Sequence, residues 1–381
     1  MKIMIIASQD RSLTNFRAPL ICALVARRHE VVACAPAEAP EVPGQLQTMG
    51  ARFAALPMRR TGLNPFTDIL TFLRLRQCIA RERPDAIITV NIKPVIYGSL
   101  AAAWSGVPRI YALIPGLGSV FAEGSSVIVR AAATTLYRLA LRRCRVVFAQ
   151  NPDIAEFLLK VRAVRPGQIV TVRGSGVDLA RYQYAPVRTE GRVSFLLLAR
   201  LLKDKGICEY VEAARSLKAQ FPHAEFRMAG PTDPNPNGIP LETVSGWHNE
   251  GVIEYLPFQN DVRPLLEACT VYVLPSYYPE GIPRSVLEAM AVGRPIITTN
   301  AIGCRETVRK IAGSTEKAGI IRGENGFLVP MRSAKDLTEA MRALATDPAL
   351  VQQMGRRSRE IVEAEFDAEK VSQSMIAAMG L

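Results

Sequence analysis

Short runs of β-branched and aliphatic residues alternate with longer amphipathic stretches from the start of the chain to about residue 172, and after a break the alternation begins again. In the first series KIMIIA, EVVACA, DAIITV, RIYAL and VVFA are the expected strands, with helices after Asn15, Pro65, Pro94, Ser126 and Pro152. In the second, VSFLLLA, AEFRMAG, GVIEYL, VYVLP and PIITT are strands, separated by helices over about 206–220, near Asp261 and through Leu287. Strand–helix alternation of this kind builds parallel sheets covered by helices. The Gly- and Pro-punctuated stretch Arg173 to Gly191 separates the two series and predicts a linker near 174–190. The chain ends in helices from Ser333 to Ala378, broken at Asp347-Pro348 and restarted at Phe366-Asp367. Two doubly wound α/β domains are expected, over 1–175 and 176–362, with a last helix in 363–381 packing back on the first domain.

At 381 residues, 49% of them hydrophobic, the chain can fill two cores. No run of about 18 uncharged apolar residues occurs, and the nearest, Pro94 to Pro108, is short and bounded by Lys93 and Arg109. It reads as a buried helix. Met1 to Ala7 is too short an apolar stretch for a signal peptide and reads as a first strand. Seven cysteines stand singly, with no CxxC and no histidine at metal spacing. A reducing compartment without disulfides or structural zinc is expected.

The most distinctive stretch runs from Ser276 to Ala291, SYYPEGIPRSVLEAMA, after an apolar strand and into a helix opened near Pro283. A helix start offers free backbone N–H groups and a positive dipole end, which suit a phosphate or sugar hydroxyls. Glu288 lies too deep in that helix to cap it and is the lone charge among Val286, Leu287, Ala289 and Met290. If buried, it needs hydroxyl or cationic partners. Taken singly, Glu280 reads equally as a turn residue and Glu288 as a solvated helix face.

A second stretch, Leu198 to Gly206, places Arg200 and Lys205 between the first strand of the second domain and its helix. Preorganised cations there would stabilise the charge that grows on a departing diphosphate, Arg by forking across phosphate oxygens and Lys as a point charge. On composition alone the same residues fit an exposed basic loop.

Together these stretches resemble the EX7E glutamates and the basic loop of retaining glycosyltransferases of family 4, which have the GT-B fold: two Rossmann-like domains facing a central cleft, with C-terminal helices. The resemblance implies that Glu280 lies by the donor sugar, that Glu288 holds the nucleotide ribose, and that Arg200 and Lys205 meet the diphosphate. Arg200, Lys205 and Glu280 are thus the catalytic candidates, and Gly281, Ile282, Pro283, Ser285, Glu288 and Phe258 the donor-binding ones. Gly174 to Asp178, Gly303 to Val308 and Glu324 to Val329 also fit the family. Retaining front-face transfer needs no protein base, because the departing phosphate can take the acceptor proton.

Acceptor-side candidates lie past strand ends of the first domain: Asn15 and Arg17, Asn91 and Lys93, and Gly116, Gly118 and Ser119. With Leu63 to Phe66 and Tyr97-Gly98 they resemble a subgroup that extends lipid-linked glycans, including bacterial α-1,3-N-acetylgalactosaminyltransferases acting on undecaprenyl-diphosphate-linked sugars. One departure stands out, Ile92 in place of a histidine of that subgroup.

The three histidines, His29, His223 and His248, read as surface residues, His248 in a polar loop. No GxGxxG follows the first strand, so NAD chemistry lacks support. No DxD-type pair stands at a strand end. No cofactor and no metal are expected, with the UDP-sugar as donor substrate.

Charge adds a direction. Residues 1–180 hold 23 Lys and Arg against 11 Asp and Glu, while 181–381 hold 24 of each, so the full net charge of +12 lies in the first half. That half should meet something anionic. Arg59, Arg60, Arg74, Arg76, Arg81, Arg83 and the stretch from Ser125 to Arg145 carry much of the excess, and the last mixes arginines with apolar residues as an interfacial helix would. A helix packed on its sheet shows the same period. No nucleic-acid motif accompanies the arginines. The expected setting is cytoplasmic, at the inner face of the plasma membrane, with a lipid-linked sugar as acceptor. Two rival readings remain open at this point: a UDP-sugar 2-epimerase-like enzyme of the same fold, and a non-catalytic nucleotide-sugar-binding protein.

Overall fold

A computed structural model describes the chain except residues 59–64, 119–120, 122–125 and 312–318, and Pro65 by its backbone only. The chain folds as two compact units, Met1–Ser175 with Ala368–Leu381, and Gly176–Asp367.

The first unit runs β1 (Lys2–Ile6), α1 (Arg11–Phe16), α2 (Ala18–Ala26), β2 (Glu30–Ala35), α3 (Val42–Thr48), β3 (Arg52–Ala55), α4 (Pro65–Glu82), β4 (Ala86–Val90), α5 (Ser99–Trp104), β5 (Arg109–Ile114), α6 (Val127–Leu141), β6 (Val146–Ala149), α7 (Pro152–Lys160) and β7 (Ile169–Thr171). Its strands pair in the order β3-β2-β1-β4-β5-β6-β7, all parallel. Strands β1 and β4 read as continuous apolar runs because helices cover both sheet faces. One face packs on α4 to α7 through Leu75, Ile79, Tyr137, Leu141 and Leu158. The other packs on α1 to α3 and on the chain's last helix.

The second unit runs β8 (Ser194–Leu198), α8 (Ile207–Lys218), β9 (Glu225–Ala229), α9 (Leu241–Asn249), β10 (Glu254–Leu256), α10 (Arg263–Ala268), β11 (Val271–Leu274), α11 (Arg284–Val292), β12 (Ile296–Thr299), β13 (Ile321–Arg322), β14 (Gly326–Val329), α12 (Ala334–Thr346) and α13 (Pro348–Glu365). Its order is β10-β9-β8-β11-β12-β14-β13, parallel except for the antiparallel pair β13 and β14. Asp347 caps α13 by accepting from the Leu350 N–H, which is why the Asp-Pro step ends one helix and starts another. The last helix, α14 (Ala368–Met379), joins the first unit: Met375, Ile376 and Met379 pack with Leu20, Ile21 and Leu24, and the Met379 carbonyl accepts from the Tyr111 hydroxyl at 2.8 Å.

Several expectations are corrected. The helix expected after Asn15 is α2, from Ala18, and a further short helix not foreseen, α1, precedes it because Asp10 accepts from the Arg11 N–H and also from the Glu38 and Ala39 N–H groups at 2.7 and 2.6 Å. Strands β3, β7, β13 and β14 and helices α1, α3 and α9 escape the sequence reading, and His248 lies on α9, not in a loop. Helix α13 runs through Glu365 in the second unit, so the returning helix starts at Ala368 rather than within 363–367. The apolar run from Pro94 opens as a π-helical turn over Pro94–Gly98 before α5.

Candidate functional site

Strand order in the second sheet reverses between β8 and β11, which are neighbours although three helices and two strands separate them along the chain. At such a switch point the loops leaving the two strands diverge and open a crevice at the carboxyl edge. Lys205 leaves β8 and Glu280 leaves β11, so the topology brings them together.

Their loops are knitted by backbone contacts. The Tyr277 N–H donates to the Asp204 carbonyl at 2.9 Å, and the Ser276 hydroxyl donates to the same oxygen at 3.3 Å. Two glycines allow the approach. Gly206, at φ +74°, has no room for a Cβ beside the Pro275 carbonyl, and Gly303, at φ +80°, would drive a Cβ into the Gly281 carbonyl oxygen. Only glycine meets both demands, positive φ and missing bulk.

Within this frame the Lys205 ammonium donates to Glu280 Oε1 at 2.6 Å and stands 5.1 Å from the Tyr278 ring centroid. Lys205 is 8% exposed, so it is a buried cation held by a carboxylate and an aromatic face. The Ser276 hydroxyl bonds Glu280 as well, at 3.3 Å. Arg200 pairs with Asp233 from the loop after β9. Each candidate diphosphate cation therefore already has a carboxylate partner, and Asp233 is a residue the sequence reading missed.

Glu288 sits in the second turn of α11 with Arg284 Nε at 3.1 Å and the Tyr182 hydroxyl as a further partner. Burial pushes its carboxyl above the ordinary range, against the opposing pull of Arg284 and Tyr182. The partners that a buried glutamate needs are thus present, and Tyr182 too went unnoticed in the sequence. Helix α11 begins after Pro283 with no side-chain cap, leaving first-turn N–H groups for a ligand. Gly281, Ile282 and Pro283 are buried in the turn beneath them, and Ser285 bonds Tyr272. Phe258 follows β10 and is 53% exposed. A cavity of about 330 Å³ bounded by Arg188, Arg192, Phe221 and Pro348 opens beside Val193, Ala224 and Thr270, which precede their strands. It therefore lies at the amino edge, and none of the donor candidates lines it.

The acceptor-side candidates scatter more. Asn15 is exposed on α1, whereas Arg17 is buried and donates to the Ser175 hydroxyl at 3.1 Å. At the exit of β4, Asn91 adopts φ +74°. Lys93 donates to Asp68 Oδ1 at 2.8 Å while the Tyr97 hydroxyl donates to Oδ2 at 2.8 Å, so Asp68 fixes both groups. Ile92 packs on the glycine turn: a Cβ on Gly118, which has φ +69°, would lie 2.7 Å from Ile92 Cδ1. Gly116 belongs to the same half-buried turn, and Ser119 lies outside the described residues. Among the described residues no group of three or more His, Cys, Asp or Glu is placed to hold a metal. No helix among them is long and apolar enough to cross a membrane.

Two family models match the chain: one described as glycosyl transferases group 1 over residues 184–361, and one as a glycosyl transferase 4-like domain over residues 15–174. Among curated proteins, the N,N'-diacetylbacillosaminyl-diphospho-undecaprenol α-1,3-N-acetylgalactosaminyltransferase of Campylobacter jejuni is 30% identical over 364 residues, covering 92% of this chain and 91% of that protein. The UDP-Gal:α-D-GlcNAc-diphosphoundecaprenol α-1,3-galactosyltransferase of Escherichia coli is 24% identical over 326 residues, 80% of this chain and 77% of that protein. Among solved structures, Anabaena HepE in complex with UDP and glucose superposes with TM-score 0.77 at 17% identity, over 100% of this chain and 99% of that one. Sucrose-phosphate synthase from Thermosynechococcus elongatus does so with TM-score 0.75 at 20% identity, over 98% and 97%.

Proposed function

The chain belongs to the group 1 glycosyltransferases, with a glycosyltransferase 4-like first half and the GT-B fold, and from that membership we propose that it moves a hexose or N-acetylhexosamine from a UDP-sugar to a polyprenyl-diphosphate-linked glycan, with retention. The product would serve cell-surface polysaccharide or glycoprotein glycan synthesis. The observation that carries the donor assignment is the Lys205–Glu280 pair at the switch point between β8 and β11.

In this reading the pair is a placeholder. An arriving diphosphate competes for Lys205 and for Arg200, drawing them from Glu280 and Asp233. Glu280 is then free to accept hydroxyl protons of the donor sugar, while Glu288, steadied by Arg284 and Tyr182, receives the ribose hydroxyls. The bond from the anomeric carbon to the β-phosphate oxygen breaks, the acceptor oxygen bonds to the same face, and the departing phosphate takes the acceptor proton. The two cations and the first turn of α11 balance the leaving charge, a role for which no metal is invoked.

Support for the acceptor class comes from the two relatives named for undecaprenyl-diphosphate-linked substrates and from the cationic excess of residues 1–180. Work at a cytoplasmic membrane surface follows from such an acceptor. The test is a panel of UDP-sugars against membrane lipid extracts, read by product mass and by NMR of the new anomeric centre. Transfer with retention to a prenyl-diphosphate glycan is the expected result. Release of a free epimerised sugar without acceptor, or UDP binding without turnover on any acceptor, would replace this reading with an epimerase or a binding protein.

A further inference from the structure

Asp68 stands in the first turn of α4, where a carboxylate commonly complements the helix dipole from solvent. Here it is drawn inward. Its side chain is 12% exposed, and both of its oxygens are taken by one neighbouring turn: Lys93 donates to Oδ1 and Tyr97 to Oδ2, each at 2.8 Å. Lys93 immediately precedes the π-helical turn Pro94–Gly98 and Tyr97 lies within it, so a single carboxylate ties that turn to α4. A π-helical turn is rare and often marks a functional site, and this one follows Asn91, a non-glycine residue in the left-handed region. Both features lie at the exit of β4, on the carboxyl edge of the first sheet.

Stability does not account for the cluster. The Lys93 side chain is 11% exposed, and taking an ammonium and a carboxylate that far from water costs about as much as their attraction returns. Apolar side chains could hold α4 against the turn equally well, as Leu75, Val95 and Ile96 do in the same core. What the carboxylate does fix is the sense of two hydrogen-bonding groups. Burial first, and the Asp68 carboxylate after it, push the Tyr97 hydroxyl well above its ordinary range, so it keeps its proton. That proton is committed to Asp68, and the phenol oxygen can then only accept. Lys93 can only donate, and Asp68 takes one of its three N–H bonds. The edge therefore presents one cationic donor and one acceptor, both placed by one residue. A phosphate and a sugar hydroxyl, each part of the acceptor proposed above, are their chemical complements.

We propose that Asp68 is a positioning residue for the acceptor, holding Lys93 so that its ammonium meets an acceptor phosphate and Tyr97 so that its oxygen accepts from an acceptor hydroxyl. This rests on the lipid-linked-acceptor reading given above.

Steady-state kinetics on a water-soluble short-prenyl diphosphate acceptor, with thermal melting to register folding, tests it. Asp68→Asn should raise the acceptor KM about tenfold, the scale of a hydrogen bond to a charged group, while the donor KM stays at the wild-type value. Asp68→Glu keeps the charge but displaces the carboxylate by one methylene. It should raise the acceptor KM severalfold with folding intact, which keeps the comparison open if Asp68→Asn, by leaving Lys93 unpaired, unfolds the chain. In a background of Lys93→Gln with Tyr97→Phe, Asp68→Asn should change the acceptor KM by less than about twofold, because nothing remains for it to position. A wild-type acceptor KM in both Asp68 variants overturns the proposal. So does a loss that persists undiminished in the Lys93→Gln, Tyr97→Phe background, or one that raises the donor and acceptor KM together, which would make Asp68 a structural residue only. Failure of the acceptor reading looks different: wild type itself transfers nothing to the prenyl-diphosphate acceptor.

Discussion

Lys205 and Glu280 meet at 2.6 Å across 75 residues of sequence, each at the carboxyl end of a strand flanking the switch point of the second sheet. A buried cation fixed by a carboxylate is a preorganised charge, held in place before any ligand arrives. The same arrangement recurs one loop away, where Asp233 holds Arg200.

If Asp233 restrains Arg200 in the empty site, Asp233→Asn should lower the donor KM. The Arg200 side chain is 38% exposed, so the gain should be about two- to fivefold and should shrink as salt is added. Steady-state kinetics against UDP-sugar at two ionic strengths measures it. An unchanged or raised KM would show that Asp233 supports Arg200 rather than competing for it.

Gly303 carries the approach of its turn to Glu280. Gly303→Ala places a methyl group against the Gly281 carbonyl at a backbone angle that L-residues resist, so the Glu280 turn must move. On the proposed catalytic role of Glu280, a loss of about a hundredfold in kcat is expected, the scale of a misplaced reacting geometry. Gly44→Ala on α3, where a Cβ meets nothing within 4 Å, serves as the control and should keep full activity.

Glu288 has its carboxyl raised by burial. A group with a raised folded-state value favours the fold below its unfolded value and loses that contribution as pH rises through the folded one. Glu288→Gln removes that loss. The melting temperature of the variant should therefore gain on wild type as pH is taken from acid to neutral, while on the proposed assignment of Glu288 to the ribose hydroxyls its donor KM rises. A pH-independent difference in melting would contradict the assignment of burial as the cause.

Glu82 shows the opposite sign. The Arg52 guanidinium first, and Lys2 after it, hold this carboxyl down at about 2 from its ordinary value near 4.5. Its contribution is present above the ordinary value and disappears as pH falls toward about 2. Glu82→Gln should melt several degrees lower than wild type at neutral pH, with the gap closing in acid. Melting curves followed by circular dichroism across that range provide the check.

The fold was legible where the chain repeats itself strongly. Strands such as KIMII and SFLLL are buried on both faces, and their apolar runs announce it. Strand β7, only Ile169–Thr171, and β3, an edge strand with two exposed residues, bury too little to leave a period. Helix α9 contains Thr243, Ser245 and Gly246, poor helix formers, and is held by packing around Val244 rather than by propensity. The IVTV run after Gly167 and the strand-like RFAA were signals that went unused.

The donor candidates were legible for another reason: Arg200, Lys205, Glu280 and Glu288 sit in two contiguous stretches whose positions relative to strands follow from the chain itself. Their partners were not. Tyr182 reaches Glu288 from 106 positions upstream, and Asp233 reaches Arg200 from another loop, so no spacing rule links them. On the acceptor side the sequence could name Lys93 but could not foresee that Asp68, from α4, already binds it.

The most direct measurement of the central claim is single-turnover transfer from a UDP-sugar to a prenyl-diphosphate acceptor by wild type, Lys205→Ala and Glu280→Ala, with the anomeric configuration of the product read by NMR. The account predicts retention by wild type and a fall of about a hundredfold or more in the transfer rate of each variant, with melting temperatures maintained. Wild-type rates in both variants, or an inverted product, would contradict it.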